Sequence, residues 1–208
     1  DIYGFDGERG FGDAESLLGR VLARDPSLRD RMVLATKGGI RPGVPYDWSA
    51  AYLRAACEDS LRRLEVDVID LYQLHRPDVL THPAEVAEVL TGLCDDGLVR
   101  HVGLSNVTPS QFELVQGHLD LRLVTTQPEL SAWQSDPVRD GTRDQCLART
   151  VTPLAWSPLG GGRIGRCGRA GEPRERHRSE QCCDLHAAIP ALPSMPMMRG
   201  RLSAGDAI

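Results

Sequence analysis

Apolar residues recur at the spacing of amphipathic helices in several stretches of the chain. The helix predicted over residues 12–24 has one apolar face, formed by Leu17, Leu18, Val21 and Leu22. A second helix, over residues 49–64, has Ser49 at its start, where serine suits an N-cap. Three more helices are predicted over residues 83–95 (ended by Gly97), 109–117 and 136–149.

Short, mainly apolar runs alternate with these helices. We predict five strands, over residues 32–36, 68–74, 99–104, 123–126 and 151–155. Continuously apolar strands are typical of a parallel sheet that helices cover on both faces. The repeat of roughly 30 residues fits a (β/α) barrel or an open doubly wound sheet. No G-x-G-x-x-G sequence follows the first strand, which disfavours the open dinucleotide-binding sheet.

Composition narrows the class of protein. The chain has 208 residues, a formal net charge of −5 and 41% hydrophobic residues, which predicts one globular domain. Its mild acidity disfavours nucleic acid as a partner. It shows neither a secretory signal nor an apolar run near the ~20 residues that span a bilayer, so we expect a cytoplasmic protein that does not bind membranes. Cys57, Cys94 and Cys146 are predicted to be reduced, mostly buried thiols, and no metal site is predicted.

The alternating pattern stops near residue 163. Residues 164–208 contain no Phe, Trp or Tyr and no helical or strand period. We weigh two interpretations of this segment, a disordered tail and a shifted reading frame of former barrel sequence. We favour the second, because the composition changes abruptly where another helix and strand are due. The chain is therefore divided into residues 1–163 and an atypical tail, residues 164–208.

Polar residues follow the predicted strands. Lys37, which is the only lysine, follows the first strand, His75 the second and Gln127 the fourth. Ser105 and Asn106 follow the third strand, and the glycine-rich segment 156–162 follows the fifth. Active sites of barrels are built from the loops at this edge, so we expect these residues to lie together. A lone lysine among many arginines is notable, because only its amine readily changes protonation when buried.

Five motifs give the sequence a family resemblance. They are DIYG at 1–4, LATK at 34–37, DLYQLHRPD at 70–78, GLSN at 103–106 and WSPLG at 156–160. In this order and spacing they resemble the motifs of the aldo-keto reductase superfamily, over residues 1–163. The resemblance implies an α/β fold, a partial (β/α)8 TIM barrel that lacks the first strand, most of the second and the last.

The resemblance also implies an NAD(P)H-dependent oxidoreductase that reduces aldehydes or ketones to alcohols by hydride transfer. Tyr3 would be the general acid, Lys37 would stabilise its phenolate, and His75 would orient the carbonyl oxygen. Family members also use an aspartate five residues before the tyrosine. Asp1 lies only two residues before Tyr3, so Asp1 is not that residue.

The remaining motif residues resemble the family's cofactor-binding groups. Ser105, Asn106 and Gln127 would hold the nicotinamide carboxamide, and Trp156 would stack on the nicotinamide ring. Ser157, Leu159 and Gly160 resemble the loop that holds the pyrophosphate. The implied cofactor is NADPH, with NADH as the alternative, and the implied partner is a small carbonyl substrate.

Two other functions stay open at this point. The first is a non-catalytic relative that binds the cofactor, like the regulatory subunits of potassium channels that resemble this family. The second is a non-functional gene remnant, suggested by the missing segments. Five strands do not close an eight-stranded barrel, so we expect low stability and little activity of the chain alone.

Overall fold

The computed structural model describes residues 1–44 and 46–163; the predicted tail, with Cys167, Cys182 and Cys183, lies outside the described residues. Helices and strands alternate along the chain. In order they are α1 (Asp13–Arg24), β1 (Ala35–Gly38), α2 (Ala50–Leu64), β2 (Ile69–Leu74), α3 (Pro83–Asp95), β3 (Val99–Ser105), α4 (Pro109–Gln116), β4 (Leu123–Gln127), α5 (Thr142–Arg149) and β5 (Thr152–Pro153).

The five strands form one parallel sheet in sequence order, β1-β2-β3-β4-β5. All six residues of β2 are buried, as expected for a strand covered on both faces, and its polar side chains, Asp70 and Gln73, are hydrogen-bonded. The core unites this sheet with the inner faces of the helices; its largest fully buried side chains include Tyr72, Phe112 and Leu104. The predicted α/β fold with a parallel sheet is confirmed. The identity of the missing strands stays a prediction.

Local sequence signals explain most helix ends. Thr108 and Gln111 form a reciprocal capping box at the start of α4, where Pro109 takes the first helical position. The Ser49 prediction is correct for position but wrong for mechanism. Its side chain makes no capping hydrogen bond; it donates instead to the Asp47 carboxylate, while Glu85 accepts from the Ala50 amide.

The predicted apolar face of α1 is correct for Leu18 and Leu22, which pack in or against the core, and wrong for the other two residues. Leu17 and Val21 are exposed, whereas the buried residues are Glu15, Gly19 and Leu22. Glu15 is tolerated inside because Arg63 and Thr36 donate to its carboxylate. Gly19 is buried because the backbone of α2 approaches α1 there.

Two element boundaries also differ from the prediction. Residues 32–34 are not in a strand, and β1 instead includes Lys37 and Gly38. The backbone amide of Leu34 donates to the Asp70 carboxylate, and this bond takes the place of a ladder bond before β1 begins. The predicted helix 136–149 is split into a 3₁₀ turn, Asp136–Val138, and α5. The break lies at Gly141, whose φ of 94° no right-handed helix accommodates.

The contact between α1 and α2 gives a first prediction. A Cβ added at Gly19 would lie 2.2 Å from the Arg63 carbonyl oxygen, so Gly19→Ala should force the helices apart and lower the free energy of unfolding by about 2 kcal/mol. Gly92 in α3 is the matched control, because a Cβ there meets nothing within 4 Å. Gly92→Ala should raise stability by about 0.5 kcal/mol in urea unfolding. Equal effects of the two variants would contradict the close approach at Gly19.

The helices of this fold are short. No helix within residues 1–44 and 46–163 is long and apolar enough to cross a membrane. Cys57, Cys94 and Cys146 are free thiols, as predicted, and burial raises the pKa of Cys57 to about 12. Such a thiol stays protonated at neutral pH and is a poor nucleophile.

Candidate active site

The residues predicted from the strand ends lie at one edge of the sheet. Lys37 is within β1, one residue before its end, and His75 directly follows β2. Asn106 follows β3, and Gln127 ends β4. The strands are parallel and in sequence order, so their carboxyl ends meet at this edge and bring these side chains together.

Tyr3, Lys37 and His75 form the centre of the site. The Tyr3 hydroxyl lies 3.4 Å from His75 Nε2, and the two ring centroids are 5.4 Å apart. The Lys37 ammonium lies 5.1 Å from the centroid of the Tyr3 ring. Tyr3 is 54% exposed, whereas His75 is 8% exposed. Tyr3 is therefore an exposed residue whose ring lies near a cation and whose hydroxyl contacts a buried imidazole.

The imidazole of His75 is neutral at physiological pH. Burial, followed by the positive charges of Lys37, the chain's amino group and Arg76, lowers its pKa from 6.5 to about 4. Its Nδ1 atom is buried and has no hydrogen-bond partner among the described residues. The neutral ring can place a proton on Nε2 and donate it to an oxygen atom at the mouth of the site.

Asn106 joins the centre of the site to β3, β4 and the segment after β5. Its Nδ2 atom donates to the His75 carbonyl oxygen at 3.0 Å and to Ser105 Oγ at 2.8 Å. The indole Nε1 of Trp156 donates to Asn106 Oδ1 at 2.8 Å. An indole N–H can only donate, so this bond fixes the orientation of the amide. Asn106 has a φ of 59°, a left-handed conformation that asparagine tolerates better than most residues.

Gln127 offers an unused acceptor beside Asn106. Its carbonyl oxygen accepts from Ser105 Oγ at 3.0 Å and from the Asn106 backbone amide at 3.1 Å. Its side-chain Oε1 is buried and has no partner among the described residues. A buried acceptor without a donor costs stability, so this atom is suited to an N–H group supplied by a ligand.

The segment after β5 turns back sharply over the edge. Ser157 has a φ of 49°, and the 3₁₀ turn Gly160–Gly162 contains residues with φ between 61° and 82°. Leu159 is 70% exposed, so its apolar side chain faces away from the core. The Gly160 amide donates to the Ser157 carbonyl oxygen at 2.7 Å, and this bond closes the turn.

Two residues near the site are not among the sequence candidates. Arg76 places its guanidinium carbon 5.6 Å from the Trp156 ring centroid. Glu15 lies behind β1, where it pairs with Arg63 at 2.7 Å and accepts a bond from Thr36, next to Lys37. Adjacency in sequence to His75 was the available signal for Arg76, whereas nothing in the sequence indicated Glu15, because its position behind β1 depends on the fold.

Known proteins resemble this chain in sequence and structure. The model of the aldo/keto reductase family matches residues 1–198. A 6-dehydroglucose reductase of Novosphingobium aromaticivorans is 58% identical over 164 residues, and one of Agrobacterium fabrum is 38% identical over 173 residues. Each alignment covers 79% of this chain; they cover 54% and 56% of the two relatives, so the chain spans about half of their length.

The solved structures agree with this result. A glycerol dehydrogenase of Gluconobacter oxydans superposes with a TM-score of 0.70 at 33% identity, over 82% of this chain and 53% of its own. Family model, relatives and fold thus point to the same group of oxidoreductases. The chain belongs to the aldo/keto reductase family.

Proposed function

We propose that this protein reduces an aldehyde or ketone to an alcohol, with NADPH as the hydride donor. The contact among Tyr3, His75 and Lys37 carries the proposal. When bound, a nicotinamide cofactor would supply the hydride for the carbonyl carbon. The Tyr3 hydroxyl gives its proton to the carbonyl oxygen, so that the product is a neutral alcohol and the phenolate regains a proton from water.

The two neighbours of Tyr3 have separate tasks. The Lys37 ammonium, 5.1 Å from the ring centroid, stabilises the phenolate that remains after proton transfer. Neutral His75 donates a hydrogen bond from Nε2 to the carbonyl oxygen and orients it toward Tyr3. The lowered pKa of His75 leaves the ring neutral, and a neutral imidazole can still donate this bond from Nε2.

The site also fits a nicotinamide ring and its carboxamide. The orphaned Oε1 of Gln127 is an acceptor for the carboxamide N–H group, and Asn106 Oδ1 retains a second lone pair beside it. Ser105 supports both residues through its hydroxyl, and the Trp156 indole supplies a face for stacking. The segment that contains Ser157, Leu159 and Gly160 would hold the pyrophosphate, as the family resemblance implies.

The relatives suggest the class of substrate. Two of them are named 6-dehydroglucose reductases, the nearer at 58% identity, and a similar structure is a glycerol dehydrogenase. We therefore propose a small polyhydroxylated aldehyde or ketone, such as a sugar-derived aldehyde, as the substrate of the whole protein.

Titration with NADPH tests the proposal. The purified chain should show saturable quenching of tryptophan fluorescence, because a ring stacked on Trp156 quenches that indole. Trp156→Phe should keep the binding with a weaker affinity, since it retains stacking but loses the bond to Asn106. Asn106→Ala should raise the dissociation constant about tenfold. Trp48→Phe is the control, because this buried indole lies outside the proposed site.

Calorimetry of the same variants makes the test independent of the fluorophore. If the chain melts cooperatively but shows no saturable binding, the proposal is contradicted. Parallel titrations with NADH and NADPH compare the affinities of the site for the two cofactors.

A further inference from the structure

Arg76 places an unpaired positive charge at the edge of the site. Its guanidinium lies over the Trp156 indole, 5.6 Å from the ring centroid. No carboxylate among residues 1–44 and 46–163 forms a salt bridge with it. The carboxylate of Asp78, two residues away, instead accepts hydrogen bonds from the Trp48 amide and the Thr81 hydroxyl.

The position of this charge is fixed relative to the groups that would hold the nicotinamide. Trp156 is bonded to Asn106 at 2.8 Å, and Asn106 is bonded to the carbonyl oxygen of His75, the residue that precedes Arg76. Trp156 and Arg76 are therefore joined through a short chain of contacts. The charge also reaches His75, whose pKa is lowered first by burial and then by nearby cations that include Arg76.

We propose that Arg76 makes this site bind the reduced nicotinamide cofactor more tightly than the oxidised one. The inference rests on the proposed function, because it requires the nicotinamide ring to stack on Trp156. The two forms carry the same phosphates and differ by one positive charge on the ring of the oxidised form. The phosphate contribution therefore cancels in the ratio of their dissociation constants, and the ring charge remains.

Electrostatics sets the size of the effect. A ring in contact with Trp156 lies within roughly 10 Å of the Arg76 guanidinium. At a partly solvated edge, a fixed like charge at that distance weakens binding of the charged form by a factor of about three to five. A site with this bias fills with the form that donates hydride and releases the form that has already reacted.

The experiment measures dissociation constants of NADPH and NADP⁺ by isothermal calorimetry, using the full chain. Arg76→Gln should lower the ratio of the NADP⁺ constant to the NADPH constant by about three- to fivefold. Arg76→Lys keeps the charge and should keep the ratio. Arg20→Gln is the control for net charge, because Arg20 is exposed on α1. Thermal melts establish that each variant is folded.

The outcomes separate this inference from the proposed function. Equal weakening of both forms in Arg76→Gln, with an unchanged ratio, would overturn the inference and assign Arg76 to packing or phosphate contact. A ratio that falls equally in Arg76→Lys would also overturn it, because the charge is retained there. Failure of the folded wild-type chain to bind either form would instead remove the proposed function, and this inference with it.

Discussion

Replacing Asp70 with alanine should lower the free energy of unfolding by about 3 kcal/mol, because the change leaves the buried Leu34 amide and the partly buried Arg29 without their acceptor. The Asp70 carboxylate accepts from Arg29 at 2.7 Å and from the Leu34 backbone amide at 2.8 Å, and pairs with Arg100 at 3.1 Å. Arg29 also donates to the Val68 carbonyl oxygen. Asp70 thus links the segment before β1 to β2 and β3, at the end of the sheet opposite the site.

Urea unfolding of Asp70→Ala and of a control variant measures this effect. Glu58→Ala is the control, because Glu58 forms an exposed i,i+4 pair with Arg54 and should cost no more than about 0.5 kcal/mol. Cofactor binding should persist in folded Asp70→Ala at low temperature, since Asp70 is remote from the proposed ligand groups. Comparable losses in both variants would mean that the Asp70 cluster is as weak as a surface ion pair.

The same carboxylate makes stability depend on pH in a defined direction. Burial alone would raise the pKa of Asp70, but hydrogen bonds from Arg29 and Leu34 and the charges of Arg29 and Arg100 outweigh burial and lower it. A carboxyl with a lowered folded pKa contributes stability above its unfolded pKa, near ~3.9. That contribution is lost as the pH falls through the folded value. Wild type and Asp70→Ala should therefore converge in stability in acid.

The sequence predicted the sheet well because burial on both faces leaves a simple pattern. Each predicted strand is a short run rich in apolar residues, and each overlaps an observed strand. The buried faces of the helices were harder to predict. Leu17 and Val21 were predicted to share the buried face of α1 with Leu22, but the close approach of α2 at Gly19 and the ion pair between Glu15 and Arg63 leave Leu17 and Val21 exposed. Both contacts depend on a partner helix more than thirty residues away.

Part of the candidate site could likewise be predicted from the sequence, and part could not. Lys37, His75, Asn106 and Gln127 could be placed together from the sequence, because parallel strands end at a common edge. The bond from Trp156 to Asn106 could not, since it depends on how the segment after β5 turns back over the edge. The position of the Arg76 charge could not be predicted either. The side chain is long and flexible, and its guanidinium lies over an indole whose position depends on the fold.

Replacing Tyr3 with phenylalanine should lower kcat for carbonyl reduction by about 10² to 10⁴-fold, the range associated with loss of a general acid. Phenylalanine keeps the ring that contacts Lys37 and His75, so the variant removes one hydroxyl and little else. The dissociation constant for NADPH should change less than about twofold, because the proposed cofactor contacts do not include this hydroxyl. A loss in kcat with unchanged cofactor binding is the signature of a group that acts in the transition state.

The control is Tyr46→Phe, which removes a hydroxyl from another exposed tyrosine, outside the proposed site. Its kcat should equal that of the wild type when NADPH oxidation is followed with a polyhydroxylated aldehyde. A Tyr3→Phe variant that reduces the aldehyde at the wild-type rate would mean that the proton comes from another donor. A wild-type chain that binds NADPH but reduces no aldehyde would contradict the proposed reductase activity of this chain. That result would favour a cofactor-binding role, because the contacts of Asn106, Gln127 and Trp156 require no proton transfer.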